Sequence, residues 1–265
     1  MRYSYLTYHQ SESIVHITLG RPETGNIINQ PLAQELRDVC KRINQDESIR
    51  VAVLSGSGTR AFCLGSELEH IQEKQIAKTC PTTELTSLIQ NYSAANSIAN
   101  VNCPTIAVIN GDALGQGLEL ALSCDIRIAS DIARFGFPGI ASGNLAMDGG
   151  TQRLPRLIGR GKSLEMILTG ELMDAEEAQR VGLINKTVPG ERLTSEGEEW
   201  ANRIASKAPL ALKYTKEVVN KGLDLTLEQG LHLEADLYFL LHTTRDRTEG
   251  IQAFREKRSP QFEGQ

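Results

Sequence analysis

The sequence predicts an α/β fold followed by a helical C-terminal region, and two observations carry that prediction. Short β-rich runs alternate with longer helical patterns through the first half of the 265-residue chain. That order favours parallel strands joined by right-handed crossovers. From about Lys162 onward helical periodicity dominates. The implied division is an α/β core over residues 1–190 and a helical region over 191–265.

In the run Ile14 to Leu19, apolar Val15, Ile17 and Leu19 alternate with His16 and Thr18, and Gly20-Arg21-Pro22 ends it as a turn should. Gln30 to Asn44 carries Leu32, Leu36, Val39, Cys40 and Ile43 at helical spacing, with Pro31 at the start where its missing N–H costs little. Val51 to Leu54 and Thr105 to Ile109 read as buried strands, and Ile126 to Ala129 more weakly so. Helices are expected over Ser163–Leu168, Asp174–Val181, Leu193–Ser206, Pro209–Lys221, Leu227–Leu241 and Arg245–Lys257. Glu69 to Ser87 is polar and poorly periodic, which predicts a mobile loop or a loosely held helix. No internal repeat is evident.

Composition narrows the function. Apolar residues make up 40% of the chain, enough for a sizeable core. A net charge of −5 argues against a nucleic-acid partner, despite a basic cluster at Arg245, Arg247, Arg255, Lys257 and Arg258. No apolar run approaches the roughly 20 residues needed to span a bilayer, so no membrane partner is expected. Residues 1–10 resemble neither a signal nor a transit peptide. The five cysteines, Cys40, Cys63, Cys80, Cys103 and Cys124, are scattered singly, which predicts core packing, no zinc site and a cytoplasmic location.

The most informative segment runs from Pro104 to Asp125. A buried strand enters a turn punctuated by Gly111, Gly115 and Gly117 and then an apolar helix. The first turn of a helix offers unpaired N–H groups at the positive end of its dipole, which suits an oxyanion. The spacing is neither a Walker loop nor GxGxxG, so no nucleotide or redox cofactor is expected. Glu119 follows one turn later among Leu118, Leu120, Ala121 and Leu122. A carboxylate in apolar company has a tunable pKa and is a candidate general acid/base. A second turn, Arg60 to Leu68 with Gly65 and Ser66, could supply the other donor of a two-N–H oxyanion hole, although alone it reads more readily as an ordinary loop.

These two segments resemble the signatures of the enoyl-CoA hydratase/isomerase (crotonase-like) superfamily. Further matches are Arg21-Pro22-Glu23 with Asn26, Gly149 to Arg156 with Ile158-Gly159, Leu168-Thr169-Gly170, Ala175 to Ala178 leading to Gly182-Leu183-Ile184, and Phe254 to Arg258. The resemblance implies a crotonase-like spiral of repeated ββα units, assembled as a homotrimer or a dimer of trimers. It also implies an acyl-CoA thioester substrate, with coenzyme A as part of the substrate and no separate cofactor. By position, the main-chain N–H groups of Ser66 and Gln116 would form the oxyanion hole. The adenine would lie against the loop around Ala61 to Ser66, which includes Cys63 and Leu64, and Lys257 would meet a phosphate.

Three positions depart from the family pattern. Gln116 stands where glycine is usual, and Glu67 where aspartate is usual. Gly139 replaces the second glutamate of the family's hydratases, the one that handles the α-carbon proton. Asp148 is the nearest candidate substitute, and equally a turn residue before two glycines. Tyr238, His232 and His242 are weaker candidates. Glycine at 139 would also leave room for a bulky or cyclic acyl group. The reading that follows is a lyase of the hydratase type with Glu119 as general acid/base. A thioester hydrolase, a decarboxylase, a carbon–carbon hydrolase and a catalytically weak acyl-CoA-binding protein are the alternatives.

Overall fold

Two residues, Glu12 and Ser13, separate the first pair of strands, and so short a link forces them antiparallel. β1 (Leu6–Ser11) and β2 (Ile14–Leu19) pair with Leu6 opposite Leu19 and Ser11 opposite Ile14. The computed structural model describes residues 3–70, 87 and 89–265. Next come α1 (Gln30–Gln45), β3 (Val51–Gly56), β4 (Ala61–Cys63), α2 (Ala95–Ala99), β5 (Thr105–Ile109), β6 (Asp112–Leu114), α3 (Gln116–Ser123), β7 (Ile126–Ser130) and β8 (Arg134–Gly136). The remainder is α4 (Gly150–Ile158), α5 (Arg160–Thr169), β9 (Met173–Asp174), α6 (Ala175–Arg180), β10 (Lys186–Val188), α7 (Leu193–Ala205), α8 (Pro209–Gly222), α9 (Leu227–His242) and α10 (Arg245–Glu256).

A six-stranded sheet has the order β1-β2-β3-β5-β7-β10, and a four-stranded sheet the order β4-β6-β8-β9. Pairing is parallel from β2 to β10, as the strand–helix alternation predicts, whereas the edge pairs β1–β2 and β8–β9 are antiparallel. Side chains of a strand alternate between faces, and the larger sheet uses both. Ala52 and Leu54 of β3 join the main core with α1, while Val51 and Val53 face a second core with Ile106, Ile128 and Leu193. The helical region therefore begins by covering this second face with α7.

In α1 the predicted apolar stripe is buried: Leu32, Leu36, Val39, Cys40 and Ile43. Burial of each large side chain there stabilises the fold by about 1.5–3 kcal/mol. Asn29 caps the helix by accepting the Leu32 N–H at 2.9 Å. Arg127 of β7 is buried, and its guanidinium donates to the carbonyls of Leu183 at 2.8 Å and Cys124 at 2.6 Å. That fixes the C-terminal end of α3 against the turn before β10. Among the described cysteines, Cys40, Cys63 and Cys124 are buried, Cys103 is half-buried, and all are free thiols.

One expectation is corrected. Ala61 to Cys63 is not loop but strand, buried throughout, with its pairing to β6 holding it in place. The polar stretch Glu69 to Ser87 lies, over 71–86, outside the described residues. Among the described residues no helix is long and apolar enough to cross a membrane.

Candidate active site

β4 and β6 are parallel neighbours, with Ala61 opposite Asp112 and Cys63 opposite Ala113, so the turns that follow them emerge side by side. Each turn uses a glycine with positive φ, Gly65 at 118° and Gly115 at 50°. Side chains rarely tolerate such backbone. Gly117 allows the first turn of α3 to rest directly on the end of β4: a Cβ there would lie 2.1 Å from the Cys63 carbonyl oxygen.

Ser66 is held by an isolated bridge to Ile28. The bonds of that bridge run from Ile28 N–H to Gly65 O at 2.9 Å and from Glu67 N–H to Ile28 O at 2.8 Å. The Ser66 N–H is thus left out of the ladder, while its hydroxyl accepts from Leu68 N–H at 3.1 Å. Across the gap the Gln116 N–H donates to Oε1 of Glu69 at 3.0 Å. The Glu69 carboxylate also lies 3.0 Å from a Cβ built on Gly65 and 2.6 Å from one built on Gly115. A single anionic group therefore touches both glycine turns. The two turns therefore converge on one polar space.

Glu119 is 1% exposed, within a helix whose eight residues are all buried. Its Oε1 accepts from the main-chain N–H groups of Asp148 and Gly150, each at 2.7 Å. Burial drives its pKa up to about 7, the two N–H donors pull it back in part, and the charges of Asp148 and Glu69 add to the rise. The group is thus poised to give or take a proton near neutrality.

Asp148 sits beside it in a different state. Its carboxylate accepts from the Ser93 hydroxyl at 2.5 Å, from the N–H groups of Ala94 and Ala95 at 2.9 Å each, and from Gln116 Nε2 at 3.1 Å. Four donors commit this carboxylate to anchoring α2 and the Gln116 turn. Gln116 Nε2 also donates to Tyr92 O at 2.6 Å, whereas its buried Oε1 has no partner.

A cavity of about 380 Å³, counting its open mouth, is lined by Glu69, Gly115, Gln116, Glu119, Phe137, Gly139, Ile140, Asn144, Leu145, Ala146, Met147 and Ile167. It brings together three of the sequence-predicted residues, Gln116, Glu119 and Gly139. A Cβ at Gly139 would lie 3.3 Å from Asn144 Cβ and 3.9 Å from Glu69 Oε2, so these two side chains border the space that glycine leaves. Asp148 and Ser66 are buried and do not line this cavity. Ala61 and Cys63 are buried in β4, and Leu64 is half-buried beside Gly25. Lys257 is exposed at the end of α10 with φ 54°. Tyr238 is exposed on α9 and stacks edge-on to His242, with ring centroids 4.7 Å apart. Neither of these nor His232 lines the cavity. Glu67 pairs with Arg21 at 3.1 Å on the surface. Glu69 is a cavity residue the sequence reading missed, because it heads a polar stretch in which one acid among several stands out only once the fold places it.

The comparisons with known proteins agree with this geometry. The profile of the enoyl-CoA hydratase/isomerase family matches residues 9–265. The chain is 38% identical to (E)-benzylidenesuccinyl-CoA hydratase of Thauera aromatica, covering 98% of this chain and 99% of that protein. It is 35% identical to crotonyl-CoA hydratase of Syntrophomonas wolfei, with 99% of each covered. The crystal structure of an enoyl-CoA hydratase from Bacillus anthracis superposes with a TM-score of 0.91 at 36% identity, covering 99% of this chain and 100% of that one. With its paired glycine turns, its buried glutamate and its full-length match, the chain belongs to the enoyl-CoA hydratase/isomerase family.

Proposed function

We propose that the protein is an acyl-CoA-acting lyase of the enoyl-CoA hydratase type, adding water to or removing it from an α,β-unsaturated acyl thioester. The observation that carries this reading is Glu119, a buried carboxylate with a pKa near 7 on the helix whose first N–H, that of Gln116, already holds an anionic oxygen. In hydration the thioester oxygen takes the N–H groups of Ser66 and Gln116, displacing the Glu69 carboxylate. Water bonds to the β-carbon as its proton passes to Glu119, and the electron pair of the double bond moves into an enolate held by the two donors. Removing one such donor typically costs about 10²–10³ in rate.

The walls of the cavity accept an apolar acyl chain through Phe137, Ile140, Leu145, Ala146, Met147 and Ile167. Gly139 adds room, and a relative's name, (E)-benzylidenesuccinyl-CoA hydratase, supports a bulky or aromatic acyl group. In this reading coenzyme A lies over the Ala61–Ser66 segment and Lys257 takes a phosphate. Assembly into a homotrimer or a dimer of trimers is supported by apolar side chains left exposed on and between α8 and α9, among them Val219, Leu223, Leu227, Leu231 and Phe239. The test follows loss of the conjugated thioester absorbance of crotonyl-CoA, and of an aromatic enoyl-CoA beside it. Turnover of either establishes the reaction, faster turnover of the aromatic thioester establishes the acyl preference, and binding with no turnover rejects the hydratase reading.

A further inference from the structure

Adding water across a double bond needs two proton transfers at different atoms: one from the attacking water and one to the α-carbon. Glu119 can serve the first. Asp148, the other buried carboxylate nearby, has its oxygens committed to four donors and stands outside the cavity wall. Glu69 is different, because its carboxylate lies in the cavity itself. Its Oε1 is 3.0 Å from the Gln116 nitrogen, and its Oε2 is 3.9 Å from a Cβ built on Gly139.

The main chain fixes this placement. Asn144 Nδ2 donates to the Glu69 carbonyl at 3.0 Å, while the Asn144 N–H donates to Gly139 O at 3.0 Å. Glu69 is thereby tied to the same turn that carries Gly139. A Cβ at Gly139 would already meet Asn144 Cβ at 3.3 Å, and Glu69 reaches the ground beside this glycine from the facing turn, its Oε2 3.9 Å from that position.

Resting on the hydratase reading, we propose that Glu69 is a catalytic residue, the acid that delivers the proton to the α-carbon. Once the thioester oxygen takes the Gln116 N–H, the displaced Glu69 carboxylate takes up a proton from solvent and carries it toward the Gly139 side. The water oxygen bonds to the β-carbon, and the water's proton goes to Glu119. The π pair becomes the enolate pair, which then takes the proton from Glu69 to form the new C–H bond. One water has been added, Glu119 has gained a proton and Glu69 has lost one. Glu119 then returns its proton to solvent, and Glu69 is again the carboxylate that faces the Gln116 N–H.

The competing role is that of a plug, a carboxylate that merely fills the oxyanion hole until substrate arrives. Crotonyl-CoA and an aromatic enoyl-CoA are assayed with the wild type, Glu69→Gln and the double variant Glu69→Gln/Gly139→Glu, with butyryl-CoA binding as a check on the folded site. The expected result is a kcat lower by about 10²–10⁴ in Glu69→Gln, with KM within a few-fold. The double variant recovers at least about tenfold of the deficit. A Glu69→Gln enzyme with unchanged kcat and lowered KM is the signature of a plug and overturns the assignment of Glu69 alone. A wild type that binds both thioesters and turns over neither overturns the hydratase reading, and this assignment with it.

Discussion

The side-chain amide of Gln116 donates to the carboxylate of Asp148 at 3.1 Å. That bond joins the turn proposed to present one oxyanion donor to the segment whose N–H groups hold Glu119. The same amide reaches Tyr92 O, so the Gln116 side chain acts as a brace.

Replacing it by alanine removes the brace and leaves the main-chain donor. Gln116→Ala leaves two buried acceptors short of a donor but also removes the unpaired Oε1. The expected loss is about 1–3 kcal/mol of stability, with kcat reduced no more than about tenfold. Urea midpoints and steady-state kinetics on one preparation check both numbers.

Glu119→Gln preserves an acceptor for the Asp148 and Gly150 N–H groups but cannot take a proton. A fall in kcat of about 10²–10⁴ is expected, with KM little changed. The general base works only when ionised, so wild-type kcat/KM should rise with pH through about 7. A pH–rate series checks this, and the rise should be absent from any residual activity of the variant.

The same pKa has a consequence for stability. Glu119 is raised from 4.5 to about 7 on folding, so its favourable contribution is fully present below 4.5 and is lost as pH climbs through about 7. At 1.36 kcal/mol per unit, the ionised form costs up to about 3 kcal/mol. Thermal melts of Glu119→Gln should therefore lie above wild type at pH 8 and converge with it near pH 5.

Gly117→Ala tests the contact that sets the donors. With its Cβ 2.1 Å from the Cys63 carbonyl, itself held in the β4–β6 ladder, the variant should lose about 3 kcal/mol and most of its activity. Gly161, in α5 with nothing within 4 Å, is the control. Gly161→Ala should gain about 0.5–1 kcal/mol, read from the same melts.

How legible each part was depended on the strength of its local pattern. The stripe of α1 and the buried strands β3 and β5 announce themselves because burial there follows a single period. β1 does not, because only Leu6 of its six residues is buried and the pairing with β2 does the rest. The strands of the smaller sheet are two or three residues long, too short for any period, and exist because the ladder assembles them. Glu119 could be found as an acid in apolar company. Asp148 read as much as a turn residue as a catalytic acid, and only its donors show it to be an anchor. Glu69 stood at the head of a polar stretch, where one acid among many carries no signal until the fold sets it against Gly115 and Gln116.

Arg127 bears on how such a site comes into being. Its guanidinium is buried only because Leu183, 56 residues downstream, completes its set of carbonyl partners. Without that carbonyl the charge would resist leaving water and would keep the end of α3 from closing. The helix that carries Glu119 is therefore expected to lock only once Leu183 is in place, a long-range closure of the kind that slows a chain. A nascent polypeptide that has not yet delivered residue 183 can hold every catalytic side chain and still lack an active site.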